Sequence, residues 1–230
     1  MTKTLLPPIP ATKEERMVAA LNFILKHPNL HDQGSWFEFA DREGIEAAGT
    51  HSYGPPVAHD DDELYDDGED NIETLSPLEL VDPTKEGPLD NCGTVGCLAG
   101  WVVSLNRDEL IVREYGSWET SPTMVYDPKT GDKQSVRDRA ADLLGLDDGE
   151  AHKLFHGENT IHELRAGALV ILNNPNDLLS QRQERYRLLC DEMNKVEAKF
   201  YDEDGYYDAS LIEDLPLVPI TFDETEGKYV

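Results

Sequence analysis

The middle of the chain carries three short amphipathic segments, and each of them opens on a residue that commonly caps helices. Ser135 precedes the first segment, Asp147 or Asp148 the second and Thr160 the third, while Gly145 follows the first segment where helices often end. Behind each cap, apolar residues recur every three or four positions, the pattern of a helix with one buried face. Three capped helices in close succession predict a core built largely from short packed helices.

Two more helices are predicted on either side of this region. Thr12 and Glu15 have the spacing of a capping box, and Pro28 ends the apolar stripe that follows, so we expect a helix over 13–26. One stripe then runs along 177–200 through Leu179, Tyr186, Leu189, Met193, Val196 and Phe200. The simplest interpretation is a long helix packed along the domain, and the alternative is a helix that pairs two copies into a homodimer.

Strand signals are few. The segments "ELIVREY" and "PTMVYD" are β-branched and aromatic, and the turn-forming "GSWETS" between them predicts a small hairpin. Trp36, Phe37 and Phe39 are expected to fill the core from a short strand or turn. Residues 41–90 are rich in glycine, proline and acidic residues and show almost no periodicity, so we interpret them as an acidic loop insertion.

Together these patterns predict an α+β class: one mostly helical domain with a small β-hairpin, an acidic loop insertion and a long C-terminal helix. The domain is expected to span 12–200, after a flexible leader over 1–11 in which three prolines disfavour helix. An acidic tail over 201–230 is predicted to follow, and within it "LPLVPITF" has the composition of one edge strand.

Acidic residues dominate the charge of the chain. There are 47 Asp and Glu against 20 Lys and Arg, which gives a formal net charge of −27. Such a surface repels nucleic-acid phosphates and anionic membranes, so neither is expected as a direct partner. The densest stretch is "DDDELYDDGED", whose candidate contacts with a basic partner are Asp60, Asp61, Asp62, Glu63, Asp66, Asp67, Glu69 and Asp70. Solubility alone is the competing interpretation of this charge.

Several features predict a cytoplasmic protein. No apolar run approaches the roughly 20 residues that a membrane-spanning helix needs. The N-terminal residues lack the apolar core of a signal peptide. Three cysteines are too few for a disulfide scaffold, and their number is odd.

Two of the cysteines lie in the segment "NCGTVGCLAGW", which spans residues 91–101. We expect Thr94 to cap a helix that buries Cys97 and Trp101, since threonine is a good N-cap residue. Its glycines permit close approach of another segment, and Trp101 is expected to fill the gap toward the helices after residue 135. The predicted structural motif consists of Cys92, Gly93, Thr94, Cys97, Gly100 and Trp101.

The order of three features resembles a group of small uncharacterised proteins from actinobacterial phages and their hosts. These features are an amphipathic N-terminal helix, then this segment, then "AADLLGLDDGEAHKLFHGEN". The matching residues of the first motif are Cys92, Gly93, Thr94, Cys97, Ala99, Gly100 and Trp101. Those of the second motif are Ala140, Leu143, Leu144, Gly145, Leu146, Glu150, Ala151, Leu154 and Phe155. The resemblance spans about 12–172, interrupted by the acidic insertion. It implies an accessory protein acting in the cytoplasm of an infected bacterial host, and it implies no reaction.

The cysteines allow three chemical interpretations besides packing. A cysteine in the first turn of a helix has a lowered pKa, which suits a nucleophile, but no histidine is marked as its base. Cys92 and Cys97 together with His152 and His156 supply four zinc ligands, although the gap between the cysteines is wide. A disulfide is disfavoured in a reducing cytosol. Packing is the preferred interpretation, so we assign no catalytic residue, metal or cofactor.

The preferred function is a non-enzymatic, phage-encoded accessory protein that binds a host or defence protein through its acidic surface. The most specific version of this hypothesis is that the protein mimics nucleic acid and occupies a basic groove of its partner. One alternative is a binder of a signalling nucleotide, with Arg137, Arg139 and Lys153 converging on phosphate, or a cysteine- or zinc-dependent enzyme. The other alternative is a structural or assembly protein of a virion.

Overall fold

The computed structural model describes residues 8–34, 37–38, 45, 50–53, 72–80, 95–114, 117–119, 121–174, 179–201 and 218–230. Over these ranges the chain forms a mostly helical α+β fold, in which the helices pack beside an antiparallel sheet. The predicted fold class is therefore confirmed.

Four helices begin after the caps that the sequence predicts, whereas the helix of the cysteine motif does not. The described helices are α1 (Lys13–Lys26), α2 (Pro77–Leu80), α3 (Leu98–Leu105), α4 (Val136–Leu144), α5 (Asp148–Leu154), α6 (Ile161–Asn173) and α7 (Leu179–Glu197), with 3-10 turns at Pro28–Leu30 and Ala198–Phe200. Thr12, Asp147 and Thr160 form capping boxes, and Ser135 caps α4. Gly145 ends α4 at a φ of 63°, in the left-handed region that favours glycine.

The strands form one main sheet and two small pairs. They are β1 (Phe37–Glu38), β2 (His51–Tyr53), β3 (Ile72–Leu75), β4 (Val95–Gly96), β5 (Glu109–Glu114), β6 (Ser117–Trp118), β7 (Met124–Tyr126), β8 (Lys133–Ser135), β9 (Phe222–Asp223) and β10 (Lys228–Tyr229). The main sheet has the order β2-β3-β5-β7-β8, and β6 also pairs with β5. β5 and β7 pair as predicted, with Leu110 opposite Val125, but the predicted turn "GSWETS" contains β6, which pairs with β5.

The stretch 41–90 contains more structure than the loop insertion that we predicted. β3 lies inside the sheet between β2 and β5, and Ile72 and Leu75 are buried. Ile45 and Leu78 also join the hydrophobic core. β3 is only four residues long and has acidic neighbours, so it offers too few apolar positions to produce a periodic signal. Trp36 and Phe39 lie outside the described residues, whereas Phe37 is in β1.

The long helix α7 packs against α6 at a glycine. A Cβ on Gly167 would lie 2.9 Å from Leu189 Cδ1 and 3.0 Å from Met193 Sδ, so the missing side chain is what lets the two helices approach. Leu189, Met193 and Phe200 are buried, as the apolar stripe predicts, whereas Tyr186 is exposed. The stripe therefore serves packing within the chain over most of its length.

A buried ion pair joins α5 to α7. Arg185 donates from Nε and Nη2 to the two carboxylate oxygens of Glu150, each at 2.5 Å, and both side chains are almost fully buried. Arg185 also donates to the carbonyls of Gly145 and Asn174, at 3.4 Å each. One arginine thus links α4, α5, the end of α6 and α7, and the apolar pattern of α7 gave no sign of it.

The described end of the predicted tail packs onto the helices. The side-chain amide of Asn22 donates to the carbonyl of Ile220 at 2.9 Å and accepts from its N–H at 2.8 Å. Asn173 forms the same two bonds with Tyr229, at 2.9 and 2.8 Å. Each asparagine therefore pairs with the C-terminal segment as a neighbouring strand would. β9 and β10 pair with each other, but only Phe222 of the predicted edge strand "LPLVPITF" lies in β9, and its residues 218–221 form no strand.

Candidate functional site

The cysteine motif caps a helix with sulfur rather than with threonine. Val95 and Gly96 form β4, paired with β1, so the helix cannot start after Thr94 as predicted. It starts at Leu98, and the Sγ of Cys97 accepts from the N–H of Gly100 at 3.4 Å. Cys97 is fully buried, whereas Cys92, Gly93 and Thr94 lie outside the described residues. Thr94 is thus three positions too early to be the cap.

Neighbouring contacts tie this helix start to the second motif. The side chain of Gln33 accepts from the N–H of Leu98 at 3.2 Å and donates to the carbonyl of Leu154 at 3.4 Å. Trp101 is fully buried, its Nε1 donates to the carbonyl of Leu30 at 3.2 Å, and its ring lies 4.6 Å from that of Phe23. The described residues of the motif therefore contact core elements.

The chemistry of Cys97 differs from that of a nucleophile. Burial raises the pKa of the Cys97 thiol to about 12, although the backbone N–H of Gly100 acts in the opposite direction. At pH 8 only about one thiol in ten thousand is then ionised. The helix N-terminus still acts to lower the pKa of Cys97, but desolvation of the sulfur outweighs it.

We therefore predict that Cys97 is inert in the native protein. In a Cys92→Ser/Cys190→Ser variant, iodoacetamide at pH 8 should leave Cys97 unmodified until the protein is unfolded, because the thiol is buried and protonated. Mass spectrometry measures the extent of alkylation. The matched control is Cys92→Ser/Cys97→Ser, which retains the partly exposed Cys190. Native alkylation of Cys97 as fast as that of Cys190 would contradict this account.

Three residues of the zinc alternative are described, namely Cys97, His152 and His156, and the structure does not group them as a metal site. His152 and His156 are exposed, with ring centroids 6.1 Å apart, and only His152 lies in α5, which ends at Leu154. Cys97 is occupied as a helix cap in the core. Within the described ranges, no three His, Cys, Asp or Glu side chains are grouped in a way that could hold a metal ion.

Each of the three basic residues considered for a nucleotide already has a partner within the chain. Arg139 bonds Asp108 at 2.7 Å and Asp127 at 2.8 Å, so it joins α4 to the ends of two neighbouring loops. Burial alone would raise the pKa of Asp127, but the N–H of Lys129 and the charge of Arg139 outweigh it and lower the pKa. Arg137 pairs with Asp148, and Lys153 bonds Asn194.

The acidic candidates from Asp60 to Asp70 lie outside the described residues, but the strands on both sides of them are described. β2 ends at Tyr53 and β3 begins at Ile72, and these two residues are direct partners in the antiparallel ladder. Antiparallel partners lie about 5 Å apart. The sheet therefore holds the two ends of the connection 54–71 side by side at its edge.

Polar contacts also stabilise the strands that lead into and out of this connection. The carboxylate of Glu73 accepts from Arg113 at 3.0 Å and from the hydroxyl of Thr50 at 3.1 Å. The buried hydroxyl of Thr74 donates to Glu109, whose carboxylate lies 3.7 Å from Nδ1 of His51. These bonds join β2, β3 and β5, so the acidic connection leaves from a well-supported sheet edge.

A cavity of about 420 Å³ lies between α6 and α7, and sequence reasoning missed it. Its lining combines apolar residues such as Leu169 and Val196 with the cationic side chains of Arg165 and Lys199. Arg165 follows His162 by one turn of α6, and Lys199 lies just beyond α7. Since these residues come from two helices, no local spacing could have signalled the group.

A scan against protein-family models, a search of curated proteins and a search of solved structures each found no match. The resemblance to the actinobacterial phage and host group stays a prediction. Among the described residues no helix is both long enough and apolar enough to span a bilayer.

Proposed function

We propose that this protein is a non-enzymatic binding protein whose acidic segment 60–70 contacts a basic surface on a partner protein. The observation that carries the proposal is the direct pairing of Tyr53 with Ile72, which places the two ends of the connection 54–71 side by side. The segment 60–70 within that connection has eight carboxylates and no Lys or Arg. The resemblance to phage and host accessory proteins makes a host or defence protein the expected partner.

The charges of the described residues support an outward role for this segment. Many of the described cations already pair with carboxylates of the chain, and these are Arg113, Arg137, Arg139, Arg185, Arg187, Lys195 and Lys228. Cations engaged in this way contribute little toward neutralising distant acids, since screening limits the interaction to about 10 Å at 0.1 M salt. A complementary basic surface would supply the missing charge and speed association.

Neutralising four residues of the segment is expected to weaken capture of the partner by about tenfold or more, because close charge pairs at an interface couple strongly. The variant is Asp60→Asn/Asp61→Asn/Asp62→Asn/Glu63→Gln. Purified protein and variant are used as baits in host lysate at low salt, and retained proteins are quantified by mass spectrometry.

The matched control removes the same charge from other elements. Glu119, Asp132, Glu158 and Glu224 are exposed carboxylates of the described surface, and a variant with all four neutralised should capture the partner as well as the unaltered protein. Equal capture by all three baits would contradict the proposal. Competition by added DNA or RNA would identify a nucleic-acid-binding groove on the partner and support the mimic form.

A further inference from the structure

The cavity between α6 and α7 differs in character from the acidic surface around it. Its volume of about 420 Å³ falls within the range of small-molecule sites, which are largely apolar with a few convergent polar groups. Ala166, Leu169 and Val196 supply apolar lining, and Arg165 and Lys199 supply positive charge. One lining carboxylate, Glu192, is already bonded to Lys195 at 2.5 Å.

Arg165 is the polar centre of this cavity. Its Nε donates to the carbonyl of Val218 at 2.7 Å, and within the described part of the chain no carboxylate pairs with it. The side chain is partly buried, and burial lowers the pKa of its guanidinium. A partly desolvated cation without a counter-ion is unfavourable, and an incoming anion would offset that cost.

The C-terminal segment holds the lining in place. The bond to Val218 orients Arg165, and Asn173, which also lines the cavity, is fixed by its two bonds to Tyr229. Both side chains are therefore positioned before any ligand arrives, which lowers the entropy lost on binding. The volume of about 420 Å³ suits a small molecule.

We propose that the α6–α7 cavity binds a small organic anion, with an apolar body against Leu169 and Val196 and a carboxylate or phosphate on Arg165. Lys199 adds a second, more exposed positive charge near that group. This proposal does not depend on the function proposed for the acidic segment 60–70, so either can fail without the other.

The test uses two fluorescent probes that differ mainly by charge: anilinonaphthalene sulfonate and the uncharged N-phenylnaphthylamine. We expect saturable binding of the anionic probe and weaker binding of the neutral one. Arg165→Gln should weaken binding of the anionic probe about tenfold, because a hydrogen-bonded charge pair is lost. The same variant should leave the affinity for the neutral probe unchanged. Arg187→Gln is the matched control, since Arg187 is exposed on α7 and outside the cavity lining, and it should change neither affinity.

A second variant tests the location without touching the charge. Ala166→Phe fills part of the cavity and should abolish binding of the anionic probe, while circular dichroism and thermal unfolding verify the fold of each variant. Displacement of the probe by naphthaleneacetate, by naphthyl phosphate or by both identifies the preferred head group. The proposal is overturned if neither compound displaces the probe, if the two probes bind equally, or if Arg165→Gln and Ala166→Phe bind like the unaltered protein.

Discussion

Replacing Arg185 by methionine is expected to destabilise the fold by about 3–5 kcal/mol, because a buried charge that loses its partner is strongly unfavourable. The variant leaves the carboxylate of Glu150 buried without its partner, and it removes the bonds to the carbonyls of Gly145 and Asn174. Urea unfolding followed by circular dichroism measures the change in the free energy of unfolding.

Arg187 provides the matched control for this substitution. It lies two residues along α7, and its pairs with Glu184 and Asp191 are on the surface, so Arg187→Met should cost less than about 1 kcal/mol. Combining Arg185→Met with Glu150→Gln removes the orphaned charge and should recover part of the lost stability. Equal small losses for Arg185→Met and Arg187→Met would show that the buried pair does not organise the helices.

Trp101→Ala is expected to cost about 3–5 kcal/mol, because it empties the largest fully buried side chain from the core. Trp101→Phe should cost less: it retains much of the contact with Phe23 but leaves the carbonyl of Leu30 without its indole donor. Thermal and urea unfolding of both variants provide the measurement.

The same two variants separate packing from function. If the tryptophan motif serves the core, Trp101→Phe should capture the partner as well as the unaltered protein under conditions in which it is folded. A Trp101→Phe variant that is fully stable yet loses the partner would assign the motif to binding instead.

Local chemistry explains which parts of the fold were predictable. Thr12, Ser135, Asp147 and Thr160 each accept from a backbone N–H three residues away, so their role is evident in a short stretch of sequence. The glycine that ends α4 is equally local. These signals fixed most helix boundaries correctly.

Three features were not predicted correctly, because each depends on partners that are distant in the sequence. β3 is stabilised by its neighbours β2 and β5 rather than by its own four residues. The thiol of Cys97 replaces Thr94 as a cap because β4 extends up to it. Arg185 looks like a surface residue of an amphipathic helix until Glu150 is placed beside it, 35 positions away.

The candidate sites likewise combine features that are local in the sequence with features that arise only in the folded chain. The acidic segment 60–70 is evident from composition alone, but only the pairing of β2 with β3 places both ends of the connection 54–71, which contains it, side by side. The cationic cavity brings together Arg165 of α6 and Lys199 beyond α7, and its significance depends on the absence of a carboxylate partner for Arg165 among the described residues. Neither property exists before the chain is folded.

The central claim is that the acidic segment binds a basic partner surface, and the salt dependence of affinity tests it most directly. Titration calorimetry with the captured partner should show that affinity falls steeply between 0.1 M and 1 M salt, as the screening length drops from about 10 Å to about 3 Å. The Asp60→Asn/Asp61→Asn/Asp62→Asn/Glu63→Gln variant should bind more weakly and with a shallower salt dependence. An affinity that is independent of salt, or equal in the two proteins at every salt concentration, would contradict the account.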